Sequence, residues 1–357
     1  MIELDVALAE RSYPIHVGAG LLLQSPLWRT AIRGRHALVL SNTTVAPLYL
    51  EPVIAGLQGI DHATLIIEDG EQYKTFDNVV RVLDALARLG ASRDATLIAL
   101  GGGVIGDLGG FAAACWMRGI DFVQMPTTLL AMVDSSVGGK TGVNLAAGKN
   151  LVGAFHQPRA VFIDTSTLAT LPEREFVAGL AEVVKYGAIG DKEFFNWLET
   201  HATDLLARDP DALDQAIASS CRHKAGVVAR DERELGERAL LNFGHTFGHA
   251  LEVEAGYGEI LHGEAVAIGM LLGARLSSQL GLAEVADSER LQILLKRFGL
   301  PTRIPDGHDA GRLLERMRLD KKSVSGAMRL ILWRGIGQAE MVSGVSEDLI
   351  VELLANG

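Results

Sequence analysis

The chain has 357 residues, of which 48% are hydrophobic and 22% charged, which is typical of a globular protein long enough for two domains. Its formal net charge of −11 excludes binding to nucleic acid through bulk electrostatics. Two cysteines, Cys115 and Cys221, are too few for a disulfide framework, so we expect reduced thiols. The first residues lack a signal-peptide pattern and no uncharged apolar run is long enough to span a membrane, so we expect a cytoplasmic protein.

The first half of the chain alternates strand and helix patterns. Short apolar runs predict strands at 37–41, 64–67, 96–100 and 122–125, and helical spacing predicts helices at 76–89 and 104–117. Such alternation indicates a parallel, doubly wound α/β sheet.

The second half is dominated by helical periodicity. We predict helices at 174–189, 193–201, 212–229, 245–254, 263–280 and 288–298, and a late hairpin of strands at 329–332 and 338–341. The predicted fold is an α/β Rossmann-like domain over residues 1–170, followed by a mainly α-helical domain over residues 171–357. We expect an active site in the cleft between the two.

A glycine-rich loop follows the third predicted strand. Gly101, Gly103 and Gly106 fit the pattern G-x-G-x-x-G between a strand and a helix, where backbone N–H groups can bind a pyrophosphate. The alternative is a tight turn without a ligand. Because the loop follows the third strand rather than the first, and Asp121 begins a strand instead of ending one, we expect dinucleotide binding on a variant Rossmann topology.

A second glycine run, 135–141, resembles a P-loop. Asp134 occupies the position where that motif requires its first glycine, so we reject an ATPase. Gly138, Gly139 and Lys140 remain candidates for binding a phosphate.

Three histidines and a glutamate are the candidates from which a metal site could be formed. His245 and His249 are four residues apart, on one helix face, and His262 follows a short loop. Glu182 lies in another predicted helix. Two histidines and a carboxylate with an open position are typical of a catalytic zinc site. The alternative is a set of capping or core histidines.

Several lysines and arginines lie in polar or glycine-rich surroundings: Lys140, Lys149, Lys185, Lys224, Arg238, Lys321 and Lys322. Any one of them alone is better explained as a solvated charge. Lys185 differs, because it lies on an otherwise apolar helix one turn after Glu182.

Taken together, these motifs resemble the 3-dehydroquinate synthase family of sugar phosphate cyclases. The matching segments run in order across most of the chain, at 70–75, 101–107, 117–119, 126–131, 134–144, 148–150, 181–185, 241–252, 261–264 and 320–322. Each segment alone is unspecific, whereas the ordered set is highly specific.

The resemblance implies a role for each matched residue. Zinc or cobalt would be held by Glu182, His245 and His262. NAD would contact Asn42, Glu71, Lys74, Gly102, Gly103, Val104, Asp107, Thr127, Thr128, Lys140 and Lys149. The substrate, 3-deoxy-D-arabino-heptulosonate 7-phosphate, would be bound by Lys140, Lys149, Asn150, Arg238, Asn242, His249 and one lysine of the Lys321/Lys322 pair. Asp134, Lys185 and Lys224 would line the same site, and Arg118 would reach into the active site of a neighbouring subunit in a homodimer.

One departure concerns the adenosine end of the cofactor. The family's first strand usually ends in an aspartate that faces the ribose, and Asn42 stands at that position here. An asparagine can hydrogen-bond a hydroxyl but carries no charge.

The reaction implied by the resemblance is a cyclisation without net redox change in the shikimate pathway of aromatic amino acid biosynthesis. The C5 carbinol is transiently oxidised by NAD⁺ while the metal lowers the pKa of the hydroxyl, phosphate is eliminated, the ketone is reduced again, and an intramolecular aldol step closes the ring. We expect His249 to stay off the metal, where it would relay a proton or contact phosphate.

Three rival functions remain at this point. They are another sugar phosphate cyclase (a 2-deoxy-scyllo-inosose, aminodehydroquinate or valiolone synthase), a metal-dependent polyol dehydrogenase, and a non-catalytic NAD-binding regulator. Lys185, Asn242 and His249 favour the dehydroquinate reaction over cyclases whose substrates lack a carboxylate. A dehydrogenase would accumulate NADH, and retention of the lysine set argues against a regulator.

Overall fold

The computed structural model describes residues 1–256, 258–320 and 328–357, without the side chain of Asp320. Lys321 and Lys322 lie outside the described residues. The strands are β1 Ile2–Val6, β2 Tyr13–Gly18, β3 His36–Asn42, β4 Asp61–Ile67, β5 Thr96–Gly101, β6 Asp121–Pro126, β7 Lys140–Leu145, β8 Gly148–Phe155, β9 Ala160–Asp164, β10 Arg329–Trp333 and β11 Ala339–Ser343. The helices are α1 Ser25–Trp28, α2 Ala46–Gly56, α3 Phe76–Arg88, α4 Gly103–Cys115, α5 Glu173–Gly190, α6 Lys192–Leu206, α7 Pro210–Arg230, α8 His245–Ala255, α9 His262–Gln279, α10 Val285–Arg297, α11 Ala310–Asp320 and α12 Glu347–Ala355.

A seven-stranded sheet in the order β1-β2-β9-β6-β5-β3-β4 organises the first part of the chain. Only β1 runs antiparallel, against β2, and the other neighbours are parallel. The order differs from that of the standard dinucleotide-binding fold, so the predicted variant topology is confirmed. The glycine-rich loop follows β5, in the middle of the sheet.

The core lies on both faces of this sheet. Along β3, Leu38 and Leu40 pack in a cluster with α3 and α4, whereas Ala37 and Val39 pack with α1 and α2 on the other face. This alternation follows from the two-residue period of a strand, and burial on both faces explains why the run 37–40 is continuously apolar.

The four predicted strands and two predicted helices of the first half are present, with ends shifted by a few residues. The sequence prediction omitted β1, β2, β7, β8 and β9. Strands β1 and β2 form an antiparallel hairpin at the sheet edge, and β7 and β8 form a separate hairpin with a register irregularity between Val143 and Leu145. Glycine and polar residues in β7 and β8 hide the period-two pattern on which the prediction relied.

The later part of the chain is mainly helical, and its six predicted helices and late hairpin are confirmed. Its core is formed by α8, α9, α11, α12 and the hairpin, with Phe247, Leu272, Met317, Leu332 and Leu353 buried together. Helices α11 and α12 were not predicted. None of the helices within the described ranges combines the length and the apolar character that crossing a bilayer requires.

The chain divides into two compact units. Unit 1 comprises Met1–Leu171 and Leu213–Ala229, and unit 2 comprises Pro172–Ala212 and Arg230–Gly357. The first boundary between the units, after Leu171, lies within one residue of the boundary predicted from the sequence. Most of α7, however, is grouped with unit 1, so one boundary in the chain does not divide the two units. The two-domain boundary itself stays a prediction.

Both cysteines are free thiols in helices, as predicted. Cys115 is exposed, and Cys221 is buried on α7, where its Sγ lies 3.3 Å from the carbonyl of Met132. Burial raises the pKa of the Cys221 thiol to about 12, so it is protonated at neutral pH and behaves as a small apolar side chain.

Candidate active site

Most of the predicted cofactor residues of unit 1 lie at one edge of the sheet. Asn42 ends β3, Gly102 and Gly103 follow β5, and Thr127 and Thr128 follow β6. Because parallel strands place their carboxyl ends at the same edge, the fold gathers residues that are distant in sequence. Ligands of open α/β sheets bind at this edge.

The glycine-rich loop leaves the start of α4 open. Gly102 is the N-cap of α4, with no side-chain hydrogen bond to the first N–H groups, which therefore remain available to an anion. A Cβ at Gly103 would lie 3.1 Å from Ser135 Oγ, so a side chain there would fill the space above the helix end. Beside the loop, Thr127 Oγ1 is buried without a hydrogen-bond partner among the described residues. These features fit a dinucleotide pyrophosphate.

A polar network surrounds Lys74. Its ammonium donates to Asp107 Oδ2 at 2.5 Å and to Asn150 Oδ1 at 2.6 Å. Burial lowers the pKa of Lys74, but the negative charges of Asp107 and Glu71 outweigh burial and raise it above its usual range. Lys74 is therefore a fixed positive charge at neutral pH.

Asn144 extends this network and was not among the predicted site residues. Its amide donates to Glu71 Oε1 at 2.7 Å, and its side-chain oxygen accepts from the backbone N–H of Asn150 at 2.9 Å. Four separate sequence segments thus meet around Lys74, and Asn144 bridges two of them.

Asn42, which stands where the family usually has an aspartate, is held by its neighbours. Its amide donates to Asp69 Oδ1 at 2.6 Å, and its oxygen accepts from the backbone N–H of Val45 at 2.8 Å. The hydroxyl of Thr44 donates to the second oxygen of Asp69 at 2.8 Å. The end of β3 therefore keeps a carboxylate, supplied by Asp69 from the segment after β4.

The predicted basic residues of the β7–β8 hairpin are not all brought together. Lys149 and Asn150 lie at its turn end, beside the Lys74 network, whereas Lys140 pairs in register with Phe155 at the opposite end. Four or five residues of strand lie between the two lysines, which corresponds to a separation of roughly 15 Å along the hairpin. Lys140 begins a strand rather than a helix, which confirms that this run is not a P-loop.

Asp134 and Lys224 form an ion pair within unit 1. Lys224 lies on α7, is 6% exposed, and donates to both the carboxylate and the backbone carbonyl of Asp134 at 2.7 Å. Each of the two positions was predicted to line the site, and the structure joins them directly.

The candidate metal ligands meet in unit 2. Glu182 lies on α5, His245 at the start of α8 and His262 at the start of α9. Glu182 Oε1 is 3.5 Å from His245 Nε2 and 3.7 Å from His262 Nε2. Ligand atoms around a tetrahedral zinc, at bond lengths near 2.05 Å, are about 3.4 Å apart. The spacing therefore fits one shared metal ion.

The buried polar atoms support the same conclusion. Glu182 is fully buried, and neither of its carboxylate oxygens has a hydrogen-bond donor of acceptable geometry among the described residues. Burial, reinforced by the charge of Lys185, holds the pKa of His245 well below its usual range, so this imidazole is neutral. A neutral imidazole and a buried carboxylate are ready to bind a cation.

A glycine permits the close approach of α9 to α5. A Cβ at Gly263 would lie 1.8 Å from the carbonyl oxygen of Ala178, so no other residue fits there without moving one helix. Gly263 directly follows His262, and Ala178 lies one turn before Glu182. The glycine thus sets the distance between the two ligands.

Lys185 and His249 lie at the rim of this cluster. Lys185, 1% exposed, forms an ion pair with Glu182, three residues earlier on α5. The ring of His249 lies 5.5 Å from that of His245 and 6.0 Å from that of His262. All five positions predicted for this region are therefore together.

Glu252 is a site residue that the sequence analysis missed. Its Oε2 lies 3.2 Å from His262 Nδ1, the ring nitrogen opposite the one that faces Glu182. His249, Glu252 and His262 form a second possible ligand group. His262 faces Glu182 with Nε2 and Glu252 with Nδ1. We therefore infer that Glu252 orients the ring of His262 for the ligand group of Glu182, His245 and His262. Glu252 lies seven residues after His245, on the same helix face, and this spacing could have revealed it.

Replacing Glu252 by glutamine is expected to weaken zinc binding about 10- to 100-fold, because the amide keeps the shape but not the charge that orients and polarises His262. The measurement is a competition titration with a zinc-binding dye. Glu254→Gln is the matched control, since that carboxylate lies on the same helix and pairs with Arg312 and Arg316. An unchanged zinc affinity in Glu252→Gln would contradict the assignment.

Arg238 and Asn242 lie in the segment before α8. Arg238 is 1% exposed and donates to the carbonyl of Glu232 at 2.5 Å, and Asn242 donates to Glu234 Oε1 at 2.9 Å. The contact with the Glu232 carbonyl thus helps to hold the guanidinium of Arg238 in position.

Arg118 is exposed in the turn after α4. Met117, Arg118 and Gly119 have φ angles of 48°, 70° and 123°, three consecutive residues in or near the left-handed region. Non-glycine residues adopt such angles only where the surrounding structure imposes them, and they are concentrated at functional sites.

Comparison with known proteins identifies the family. A model described as 3-dehydroquinate synthase N-terminal matches residues 64–178, and one described as 3-dehydroquinate synthase C-terminal matches residues 179–323. The chain belongs to the 3-dehydroquinate synthase family. The family resemblance inferred from the ordered motifs is therefore confirmed.

Relatives in this family match nearly the whole chain. The 3-dehydroquinate synthase of Xanthomonas campestris pv. campestris (strain 8004) is 58% identical over 364 residues, covering 99% of this chain and 98% of the relative. That of Xylella fastidiosa (strain M23) is 58% identical over 353 residues, covering 96% and 95%.

Solved structures show the same fold. A 2-deoxy-scyllo-inosose synthase complexed with carbaglucose-6-phosphate, NAD⁺ and Co²⁺ superposes with a TM-score of 0.92 at 28% identity, over 100% of both chains. A 2-epi-5-epi-valiolone synthase from Streptomyces hygroscopicus subsp. jinggangensis 5008, with NAD⁺ and Zn²⁺ bound, gives 0.90 at 32% identity over 98% of both chains. An iron-containing alcohol dehydrogenase, at 16% identity and a TM-score of 0.69, shares the fold alone.

Proposed function

We propose that this chain is an NAD- and metal-dependent 3-dehydroquinate synthase. It converts 3-deoxy-D-arabino-heptulosonate 7-phosphate to 3-dehydroquinate and phosphate, a step of the shikimate pathway. The observation that carries the proposal is the fully buried Glu182 carboxylate, which lies at metal-ligand spacing from His245 and His262. The 58% identity to 3-dehydroquinate synthases, against 28–32% to the two structurally similar cyclases, favours this reaction within the fold.

Glu182, His245 and His262 would hold Zn²⁺ or Co²⁺, and the residues at the carboxyl edge of the sheet would hold NAD. When bound, the two groups supply a Lewis acid for the C5 hydroxyl and a temporary hydride acceptor. Lys74 and Asp107 fix the polar network beside the cofactor position, and Asp69 offers the carboxylate for a ribose hydroxyl at the end of β3.

The basic residues would bind the two charged ends of the substrate. Lys149 and Asn150 at the hairpin turn, and Arg238 and Asn242 before α8, present donors suited to phosphate and carboxylate oxygens. Holding both ends restricts a flexible chain to the conformation from which it can react. Lys185 lines the site next to Glu182, with which it forms an ion pair, and His249 relays a proton or contacts phosphate.

The cofactor residues lie in unit 1 and the metal ligands in unit 2, and the reaction needs both at the same substrate carbon. We therefore infer that the two units serve one active site. We further infer a homodimer in which Arg118 contacts substrate in the partner's active site, supported by its exposure and its constrained turn. Free thiols at both cysteines suit an enzyme of the cytoplasm.

Substrate selection tests the proposal. With NAD⁺ and Zn²⁺, the protein is expected to release phosphate from 3-deoxy-D-arabino-heptulosonate 7-phosphate and none from glucose 6-phosphate, because the carboxylate-binding groups require a substrate acid. Absorbance at 340 nm should show no net NADH. Phosphate release from glucose 6-phosphate alone, or one NADH formed per substrate, would replace the proposal with another cyclase or with a dehydrogenase.

A further inference from the structure

A cavity lined largely by polar residues lies in unit 2, at the end of α9 opposite His262. Its volume is about 700 Å³, within the range of small-molecule sites. Arg275, Ser278 and Gln279 line it from one face of α9, at the three- and four-residue spacing that brings helical side chains together. Val285 and Ser288, from the first turn of α10, line it from another side.

Two arginines give the cavity its charge. Arg275 is half-buried, and Arg303, from the segment after α10, lies near enough to affect its ionisation. Burial, and then the positive charge of Arg303, lower the pKa of Arg275. Within the described ranges neither arginine forms an ion pair or hydrogen bond with another residue. No acidic side chain of the described residues lines the cavity, and two like charges that face one cavity are stabilised when an anion binds.

The other lining groups keep the wall of the cavity polar. Ser278, Ser288 and Asn356 line it, and their hydroxyl and amide groups donate to the backbone carbonyls of Ala274, Val285 and Glu352. The two guanidinium groups are therefore the charged donors of the cavity, and guanidinium binds phosphate oxygens through paired, charge-assisted hydrogen bonds.

We propose that this cavity is a binding site for a phosphate-bearing small molecule, held by Arg275 and Arg303 and separate from the catalytic residues. The cavity is larger than a phosphate ion, so it has room for an organic part. Arg275 lies 13 residues after His262 on α9, which at 1.5 Å per residue is roughly 20 Å along the helix. The site is therefore a second one, joined to the metal ligands by a single helix.

Counting bound phosphate tests this proposal. Equilibrium dialysis of the zinc- and NAD-loaded enzyme with radiolabelled inorganic phosphate, and separately with glycerol 3-phosphate, gives the number of sites per chain. Replacing both arginines (Arg275→Gln with Arg303→Gln) is expected to remove one equivalent of the bound phosphate compound and to leave kcat unchanged. Arg312→Gln with Arg334→Gln is the matched control, since it also removes two positive charges, from exposed arginines of the same unit that pair with Glu254 and Glu340.

A measurement on the wild-type chain covers the case in which the double variant does not fold. Phosphate or glycerol 3-phosphate should protect Arg275 from modification by phenylglyoxal, as read by mass spectrometry, and should leave Arg334 unprotected. Protection by the ester alone would assign the site to an organic phosphate, and protection by both would assign it to phosphate itself. Unchanged stoichiometry in the double variant, or no protection of Arg275 by either compound, would overturn the proposal.

Discussion

Replacing Glu182 by alanine is expected to reduce kcat/KM about 1000-fold or more while NAD affinity changes little. The carboxylate is one of three candidate ligands of the metal. A Lewis acid lowers the activation free energy by several kcal/mol, and each reduction of about 1.4 kcal/mol raises the rate tenfold. The residues proposed for NAD belong to unit 1, whereas Glu182 belongs to unit 2. Phosphate release measures the first quantity, and fluorescence titration with NADH measures the second.

The alanine variant also leaves Lys185 buried beside an empty space, since the two side chains are 0% and 1% exposed. Loss of one partner from a buried ion pair costs about 3–5 kcal/mol of stability. Glu182→Gln preserves the volume and separates loss of the ligand from loss of folding. Glu175→Gln, an exposed carboxylate on the same helix, is the control and should keep activity within about twofold. Full activity in Glu182→Gln would refute the metal assignment.

The Arg118→Ala homodimer is expected to lose about 10- to 100-fold in activity. A mixed dimer, in which one subunit carries Arg118→Ala and the other carries Glu182→Ala, is expected to recover about half of the wild-type rate. A charged hydrogen bond to substrate contributes about 1.5–3 kcal/mol. In the mixed dimer, one active site has both an intact Glu182 and the partner's intact arginine, so one of two sites works. Co-expression with two affinity tags isolates the mixed species.

A mixed dimer of Glu182→Ala and His245→Ala serves as the control, because both of its active sites lack a ligand and no recovery is possible. An inactive Arg118→Ala/Glu182→Ala pair would mean that the arginine acts within its own subunit. A monomeric protein of full activity would remove the dimer from the proposal altogether.

The sequence predicted the fold best where one element alone carries the signal. The helices that hold Glu182, His245 and His262 were placed within two residues, because their apolar faces repeat at helical period. The ordered motifs also predicted Glu182, His245 and His262 as a ligand group, and the structure brings these three side chains together. The loop at Gly101 to Gly103 was placed correctly, since a strand and a helix flank it.

What the sequence could not predict depends on contacts between distant segments. The hydrogen bond between Asn42 and Asp69 joins the ends of two adjacent strands, and nothing in either local pattern indicates it. The need for glycine at position 263 follows only from the approach of α9 to Ala178. Lys140 and Lys149 seemed equivalent in sequence, but they lie at opposite ends of a hairpin that the sequence analysis did not predict.

The most direct test of the central claim is phosphate release from 3-deoxy-D-arabino-heptulosonate 7-phosphate with NAD⁺, before and after removal of the metal by a chelator. The account predicts that release stops when the metal is stripped, that added Zn²⁺ or Co²⁺ restores it, and that no NADH accumulates in either state. Phosphate release that is unaffected by complete removal of the metal would contradict the account.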